Sequence, residues 1–457
     1  MIKNITINKL YGVFNHSIDV KDGTITLILG ENGLGKTVIL KMIKCLFDND
    51  LFEIGKFEFD LFSITFDDLS TLEIVKEKKE KKVRLRYEDY SLHISYKRTN
   101  PKKANKFSIK SDDIIENYNN DRHSIYRRNQ NNRIHNILRN YIPTELDRVG
   151  PDRWLDIATG VISNSNELLQ IYSKYLPKEI VDDLNNKLVP EWFVLLTKSI
   201  QVKLVETQRL LTKLNSEEKE YRSSVVQYST ELKEIIRNKT LEATNLSAKL
   251  DRTYTNRLIE KITSINTSSN TSIDNSLNEL EEKRSFLIKV GLLEQVEETL
   301  IPINLNQEYR DNETLRDVLE IYIDDSNDKL SIYKDLGLKL NTLIDIINKR
   351  FNYKEFSVNK NEGFVFKSTI TKKPIPLSNL SSGEQHELVL FYELLFNTPE
   401  NSLILIDEPE ISLHITWQNE FINDLLEINE LNNIKSIIAT HSPDIINNNW
   451  SLTIELE

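Results

Sequence analysis

The stretch that decides the fold is Gly30-Glu-Asn-Gly-Leu-Gly-Lys-Thr37, which matches the pattern G-x-x-x-x-G-K-S/T. Residues 24–29 before it form a compact apolar run suited to a central β-strand, and residues 37–47 after it have the apolar spacing of a helix. Glycines let such a loop bend until successive backbone N–H groups face a phosphate, and the helix N-terminus adds the positive end of its dipole. The pattern therefore predicts a strand–loop–helix unit that binds a nucleotide phosphate.

Each residue of the loop has an expected task in binding ATP and Mg²⁺. We expect Lys36 to neutralise the β- and γ-phosphate oxygens and to act in catalysis, and we expect the Thr37 hydroxyl to ligate Mg²⁺. Asn32, Gly33 and Gly35 are expected to contact the nucleotide beside them.

A second apolar run, Ser402-Leu-Ile-Leu-Ile-Asp-Glu408, ends in two carboxylates. If this run is a strand, Asp407 lies at its tip and can hold Mg²⁺ directly or through water. Glu408 then lies one residue further, where it can act as the general base for an attacking water. Acidic residues are common at strand ends, so this prediction depends on its combination with the glycine loop.

Two further patterns supply candidate contacts to the γ-phosphate. Leu380-Ser-Ser-Gly-Glu-Gln385 opens a predicted helix whose first residues offer hydroxyl and N–H groups, although an ordinary Ser N-cap with a capping-box Glu is the alternative. The candidate residues there are Ser381, Ser382 and Gly383. Thr440-His-Ser-Pro443 follows another apolar run, so His441 is a candidate catalytic residue, although a solitary histidine is more often structural or exposed.

The composition excludes several classes of protein. With 457 residues, 39% of them hydrophobic, and a net charge of −11, the chain predicts two or three globular units and not a protein that coats nucleic acid. No apolar run approaches the roughly 20 residues that span a bilayer, so no membrane partner is expected. A single cysteine, Cys45, excludes internal disulfides and cysteine-based zinc sites, and it favours a cytoplasmic location.

The net charge hides a basic region. Between Lys76 and Arg139 there are 18 Lys and Arg residues against 8 Asp and Glu residues, a net charge of +10. Such a region predicts a basic surface that binds anions. The alternative is a solvated sheet edge, since lysine commonly blocks the pairing of edge strands.

The middle of the chain changes pattern twice. Alternation over residues 52–96 predicts antiparallel strands. After Pro190 the pattern becomes helical, with Leu204, Leu211 and Leu214 at the spacing of a coiled coil. A β-hairpin is then predicted over residues 354–370. The expected domains are an N-terminal lobe (1–180), a helical and partly coiled-coil insertion (190–350) and a C-terminal lobe (351–457).

Together, these motifs resemble the head of an ABC-type ATPase of the SMC/RecF-like branch. The 24 residues from Gly383 to Asp407 and the 34 from Asp407 to His441 match that class, whereas the 345 residues from Lys36 to Ser381 exceed the spacing in a transporter subunit. The resemblance implies an α/β fold: a mixed sheet that carries the P-loop, plus an antiparallel β subdomain, split by the helical insertion. It also implies ATP and Mg²⁺ at the site.

Several stretches are similar, more narrowly, to the ATPases of bacterial anti-phage systems, the PtuA family of Septu and the AriA family of PARIS. They are Ser381-Ser-Gly-Glu-Gln-His-Glu-Leu-Val-Leu390, Ile406-Asp-Glu-Pro-Glu-Ile-Ser-Leu-His414, Trp417-Gln418, Arg148-Val-Gly-Pro-Asp-Arg-Trp-Leu155 and His441-Ser-Pro-Asp-Ile-Ile446. These families imply a separately encoded partner nuclease, of the HNH type for Septu and of the TOPRIM type for PARIS. Chain size and the basic region favour the AriA-like case, and no nuclease is expected within this chain.

The sequence departs from the ABC pattern at several positions. His414 replaces the aspartate of the D-loop, as in OLD- and RecF-like proteins. The signature motif is Leu380-Ser-Ser-Gly-Glu384 in this chain, and its third residue, Ser382, stands where glycine is usual. No Q-loop glutamine can be placed, since Gln130 and Gln170 lie in weakly patterned sequence and neither follows a clear strand. Because Cys45 is the only cysteine, a zinc hook is excluded.

The resemblance implies an ATP-binding and ATP-hydrolysing sensor and scaffold subunit of a defence complex, which controls the partner nuclease. In such heads the glycine loop of one copy faces the signature of another, so a homo-dimer or higher homo-oligomer is expected. Two alternatives remain open: a RecF-like DNA-repair ATPase that acts on DNA, and an ATP-binding assembly module with negligible turnover.

Overall fold

The structure is a computed structural model in which the chain forms two compact units. The first comprises Met1–Thr207, Pro399–Ile411 and Asn433–Glu457, and the second comprises Gln208–Thr398 and Ser412–Asn432. The structure describes residues 1–21, 23–78, 90–99, 103–110, 146–150, 153–157, 161–164, 168, 189–205, 211–213, 221–263, 273–294, 313–411 and 413–456. Strands and helices are numbered in chain order.

A parallel sheet forms the centre of the first unit and carries the glycine loop. Its described strands, in spatial order, are β11 (Val202–Val205), β17 (Leu403–Asp407), β18 (Lys435–Thr440), β3 (Ile25–Leu29) and β19 (Thr453–Glu455). Each pairing between these strands is parallel. Apolar residues run almost continuously through β3, β17 and β18 because both faces of a parallel sheet are covered.

Helix α1 (Lys36–Phe47) packs against this sheet directly after the glycine loop. It contacts β11, β17 and β18. Ile39, Ile43 and Leu46 recur at helical spacing and are buried. The last turn is tied to its C-cap, since Lys44 Nζ lies 2.6 Å from the Asp48 carboxylate. Because α1 packs against the sheet, its first turn and the end of the glycine loop are held beside the end of β17.

An antiparallel sheet lies in the same unit and shares its core. Its described strands, in spatial order, are β2 (Phe14–Asp19), β1 (Ile2–Leu10), β4 (Leu61–Phe66), β5 (Thr71–Lys78), β6 (Tyr90–Arg98) and β7 (Lys103–Lys110). Alternate residues of β4 are buried, so that Phe62 and Ile64 join one apolar cluster with Ile43, Leu405 and Ile437. Parallel and antiparallel pairing therefore occur in separate sheets around one core.

Shorter elements complete the described part of the first unit. They are α2 (Leu51–Lys56), β8 (Leu146–Gly150), β9 (Arg153–Asp156), β10 (Val161–Asn164), α3 (Glu191–Lys198) and α10 (Pro443–Ile446). Aromatic contacts join α3 to the antiparallel sheet: the ring centroid of Trp192 lies 6.0 Å from that of Tyr96, and Phe193 lies 5.2 Å from Phe107.

The second unit is mainly helical. Its described elements are β12 (Leu211–Lys213), β13 (Tyr221–Ser223), α4 (Ser224–Thr263), α5 (Ile273–Lys289), α6 (Glu313–Ser331), α7 (Lys334–Arg350), β14 (Lys354–Asn359), β15 (Gly363–Ser368), β16 (Pro374–Ile375), α8 (Ser382–Phe396) and α9 (Ile415–Asn432). The buried residues of the 40-residue helix α4 end at Ile236. Beyond that point ionic contacts tie it to α6, where Arg257 donates two hydrogen bonds to Asp325.

A buried ionic cluster joins three helices of the second unit. The Arg350 guanidinium at the end of α7 binds Glu387 of α8 and Asp424 of α9, and it lies 4.7 Å from the ring centroid of Phe391. Burial raises the pKa of Glu387 to about 7, because the nearby Arg350 charge offsets only part of the lost hydration. Burial raises the pKa of Asp424 as well. One buried guanidinium therefore forms ion pairs with two buried carboxylates.

The structure confirms the predicted α/β class, with a P-loop sheet, antiparallel strands and a long helical region. The predicted hairpin is also present, since Asn359 of β14 pairs with Gly363 of β15. No described helix combines the length and the apolar character needed to cross a membrane. The division into two lobes and an insertion stays a prediction.

One secondary-structure prediction is wrong. Leu204 does not belong to a helix, since it lies in β11 and pairs with Leu405 of β17 in the parallel sheet. Leu211 likewise lies in a strand, β12. The β-branched residues Val202 and Val205 flank the apolar position, and such residues fit a sheet better than a helix.

Candidate functional site

The glycine loop has backbone angles that favour glycine at two of its positions. Gly33 and Gly35 adopt φ angles of 96° and 90°, which are unfavourable for residues with a side chain. A Cβ atom at Gly35 would lie 2.5 Å from the Leu10 side chain, whereas one at Gly33 would meet nothing within 4 Å. Asn32 lies beside Gly33, and both are exposed. The loop is therefore packed against β1 on one side and open on the other.

Lys36 is folded back over the loop that precedes it. The residue is 5% exposed, and its Nζ donates hydrogen bonds to the carbonyl oxygens of Gly30 (2.6 Å) and Glu31 (3.0 Å). Its ammonium group therefore lies within the curve of the loop and not in bulk water. A cation in this position can neutralise the oxygens of a phosphate held by the loop.

A side-chain hydrogen bond between Thr37 and Asp407 connects the glycine loop to the C-terminal part of the chain. The Thr37 hydroxyl donates a hydrogen bond of 3.0 Å to the Asp407 carboxylate across a sequence separation of 370 residues. Burial raises the pKa of Asp407; the hydrogen bond from Thr37 opposes this shift, and the neighbouring Glu408 charge adds to it. A hydroxyl beside a carboxylate is the oxygen donor set that suits Mg²⁺, so these residues fit the predicted metal ligands.

Glu408 follows Asp407 in an unusual backbone conformation. Its φ angle is 42°, which costs a residue with a side chain about 1–3 kcal/mol. Hydrogen bonds hold this conformation: the Glu408 N–H donates to the Ala439 carbonyl (2.9 Å), and the Glu408 carbonyl accepts from the Ile411 N–H (3.2 Å). The turn redirects the chain directly after the strand tip, so that the two adjacent carboxylates leave the strand in different directions.

His441 lies beside Glu408 at the end of the next strand. The Nδ1 atom of His441 is 3.7 Å from a Glu408 carboxylate oxygen and 3.0 Å from a carboxylate oxygen of Glu410. β17 and β18 are neighbouring parallel strands, and this arrangement places their carboxyl ends side by side. The first unit therefore brings together Lys36, Thr37, Asp407, Glu408 and His441.

His16, to which no sequence pattern assigns a role, contacts the glycine loop from β2. Its side chain is buried, stacks on Phe14 with ring centroids 5.9 Å apart, and has Nε2 2.9 Å from the Leu34 carbonyl oxygen. Nε2 must carry the proton because a carbonyl only accepts. Within one planar peptide group the C=O and N–H point in opposite directions, so this bond turns the Gly35 N–H away from His16. No local sequence pattern announces such a contact.

The signature residues Ser381, Ser382 and Gly383 lie in the second unit, at the start of α8. Ser381 is the N-cap, and its side chain and that of Glu384 form a capping box, with Lys354 Nζ 2.6 Å from the Glu384 carboxylate. A Cβ atom at Gly383 would meet nothing within 4 Å. The capping role that was the alternative is thus present, and a γ-phosphate contact stays a prediction.

Three lysines of the predicted basic surface are either buried or paired with a carboxylate. Lys76 is 6% exposed, because its Nζ donates to two backbone carbonyls of the segment around α2. Lys78 binds Glu58, and Lys97 Nζ lies 2.6 Å from the Glu73 carboxylate. The polar partners of these three lysines therefore lie within the first unit. Most of the basic region, and both Q-loop candidates, Gln130 and Gln170, lie outside the described residues.

Comparisons with known proteins give one sequence relative and several solved structures. Protein ea59 of Escherichia phage lambda is 40% identical over 72 residues, which are 15% of this chain and only 13% of that protein. The Smc head domain with an extended coiled coil bound to the C-terminal domain of ScpA, from Pyrococcus furiosus, is 11% identical, with 98% of this chain and 91% of that chain covered and a TM-score of 0.32. The SMC head domain from Thermotoga maritima is 11% identical, with 97% and 90% covered and a TM-score of 0.29.

A family match extends over nearly the whole chain and includes each residue of the candidate site. The model for the AAA_15 family, whose description is AAA ATPase domain, matches residues 1–446. The chain therefore belongs to the AAA_15 family of AAA ATPase domains.

Proposed function

We propose that this chain binds ATP with Mg²⁺ and hydrolyses it at the site formed by the glycine loop and the ends of β17 and β18. The observation that carries the proposal is the hydrogen bond between Thr37 and Asp407, which joins the phosphate-binding loop to the carboxylate strand across 370 residues. Two isolated motifs would have no reason to meet, whereas one metal–phosphate site requires them to do so.

Each residue of the site has a task that its position supports. Lys36 neutralises phosphate oxygens held by the loop, and Thr37 and Asp407 would hold Mg²⁺. The metal, when bound, would compensate the negative charge of the phosphates. Glu408 accepts a proton from the attacking water, and His441 beside it contacts the γ-phosphate or the water.

We propose further that hydrolysis requires a second copy of the chain. In this arrangement Ser381, Ser382 and Gly383 of one copy close over the nucleotide bound to the other copy. The exposed start of α8 supports the idea, because the Ser382 side chain lies on the surface, where a phosphate can reach its hydroxyl. The protein would then form a homo-dimer or a higher homo-oligomer whose assembly depends on ATP.

The biological role proposed for this ATPase is that of a sensor and scaffold subunit in a cytoplasmic anti-phage defence complex. It would control a separately encoded effector nuclease of the TOPRIM or HNH type and respond to a phage protein or nucleic acid at the basic region. The support is the motif resemblance to the AriA and PtuA families. Expression with the adjacent gene in phage-challenged bacteria tests the role: protection that depends on Lys36 supports it, and no protection contradicts it.

Two variants test the ATPase proposal itself. Lys36→Ala should abolish ATP binding without unfolding the chain, and Glu408→Gln should retain ATP and trap the oligomer. Lys3→Ala, at an exposed position of β1, serves as the control. Nucleotide affinity, phosphate release and mass in solution are measured. Unchanged phosphate release in both variants would contradict the proposal, and hydrolysis that duplex DNA stimulates in a salt-dependent way would favour the RecF-like role.

A further inference from the structure

Glu410 lies two residues beyond Glu408 and has no task in the hydrolysis proposed above. Its side chain is only 6% exposed. One of its carboxylate oxygens, Oε1, accepts a hydrogen bond of 2.8 Å from the Thr440 hydroxyl and another of 2.9 Å from the backbone N–H of His441. Hydrogen bonds to a carboxylate are stronger than those to a neutral acceptor. Glu410 therefore fixes the backbone at the point where His441 leaves β18.

The same oxygen also contacts the ring of His441. Nδ1 of the imidazole lies 3.0 Å from Glu410 Oε1 but 3.7 Å from Glu408 Oε1. Only the first distance is that of a hydrogen bond. An ionised carboxylate can accept but not donate, so its closeness favours the tautomer in which Nδ1 carries the proton. Nε2 is then the ring nitrogen that can still contact a substrate.

We propose that Glu410 is the positioning residue for His441. It binds Nδ1–H, which sets the tautomer of the ring, keeps the imidazole from pairing with Glu408, and leaves Nε2 for the phosphate or the attacking water. This inference rests on the proposed function, since it assigns Glu410 a task in the same site. The general base Glu408 stays available because a second carboxylate, 0.7 Å closer to the ring nitrogen, holds the imidazole.

The first test removes the charge of Glu410 and keeps its shape. In Glu410→Gln the amide oxygen can still accept from Thr440 and from the His441 N–H, but the partner of Nδ1 becomes neutral. Loss of the partner of a metal-ligating imidazole typically costs about 10–100-fold; by analogy, kcat should fall by about that factor while nucleotide affinity changes by less than about twofold. Glu400→Gln, an exposed position of the same chain segment, should leave kcat unchanged.

A double-mutant comparison shows whether Glu410 acts through His441. Glu410→Gln combined with His441→Ala should be no slower than His441→Ala alone, because the ring that Glu410 positions is then absent. Losses that multiply in the double variant would overturn the proposal. So would a Glu410→Gln variant that keeps the wild-type kcat.

A spectroscopic measurement tests the inference independently of turnover. Nitrogen-15 NMR of the full wild-type chain, with the His441 signals identified by their loss in His441→Ala, reports which ring nitrogen carries the proton. A protonated Nδ1 in the wild type, and a mixture of tautomers in Glu410→Gln, supports the proposal. A neutral ring protonated only at Nε2 overturns it, even if Glu410→Gln does not fold. If the wild type hydrolyses no ATP, the proposed function fails, and the tautomer still decides this inference.

Discussion

The buried carboxylate of Glu387 makes the stability of the second unit depend on pH. Its pKa is about 7 in the folded chain, against an ordinary value of 4.5 that we take for the unfolded chain. The folded state therefore binds the proton more tightly. Stability is complete below about pH 4.5, falls as the unfolded chain ionises, and reaches its lower level above about pH 7. Since one pKa unit corresponds to 1.36 kcal/mol, the loss is about 3 kcal/mol.

Glu387→Gln should remove most of this dependence. The amide has the same shape, can accept a hydrogen bond from Arg350, and is neutral at every pH. A change of 1 kcal/mol shifts the melting temperature of a unit of about 200 residues by roughly 2–4 °C, so the decrease between pH 5 and pH 8 should shrink by about 6–12 °C. Asp424, whose pKa burial also raises, contributes to the dependence that remains.

Thermal unfolding followed by circular dichroism at pH 5, 6, 7 and 8 measures the effect. Glu430→Gln is the matched control, because it makes the same substitution at an exposed position of α9. A Glu387→Gln profile that runs parallel to the wild type would refute the reasoning, as would a control that flattens the profile equally. The first result would mean that Arg350 keeps Glu387 ionised in the folded chain, and the second that the change in profile is not specific to Glu387.

Further predictions concern the first unit. His16→Phe keeps the stacked ring but loses the donor to the loop, so ATP should bind roughly tenfold more weakly by calorimetry, and His16→Gln should restore most of the affinity. Gly35→Ala should lower the melting temperature more than Gly33→Ala, since both positions have positive φ but only Gly35 lacks space; equal losses would contradict the packing argument. Burial raises the pKa of Cys45 to about 12, so alkylation at pH 8 should be slow in the native protein and fast after denaturation; equal rates would contradict this.

Local patterns predicted the parts of the site that are local. The glycine loop, the strand before it and the helix after it are short, contiguous and strongly patterned, so they predict the elements β3 and α1. The residue types at the ends of β17 and β18 were also recognisable. In each of these cases the motif consists of residues that are neighbours along the chain, so it can be recognised from the sequence alone.

Contacts between distant residues could not be predicted in the same way. The short run at Leu204 has no partner until β17 is in place, and its apolar spacing fits a helix as well as a strand. The hold of Glu410 on His441 and of Arg350 on Glu387 depends on side chains that meet only in the folded unit. Buried charges of this kind leave no periodic signal, because each is a single polar residue within an otherwise apolar pattern.

The position of β3 has a consequence for how the protein is made. Both strands that flank it, β18 and β19, come from residues 435 and beyond, roughly 400 residues later in the chain. At about 5–20 residues per second, a ribosome needs on the order of 20–80 s to supply them. Until then the strand that carries the glycine loop has no neighbour on either side, so a partly synthesised chain cannot form the nucleotide site. Only chains whose synthesis has passed β19 can complete the parallel sheet that carries the glycine loop.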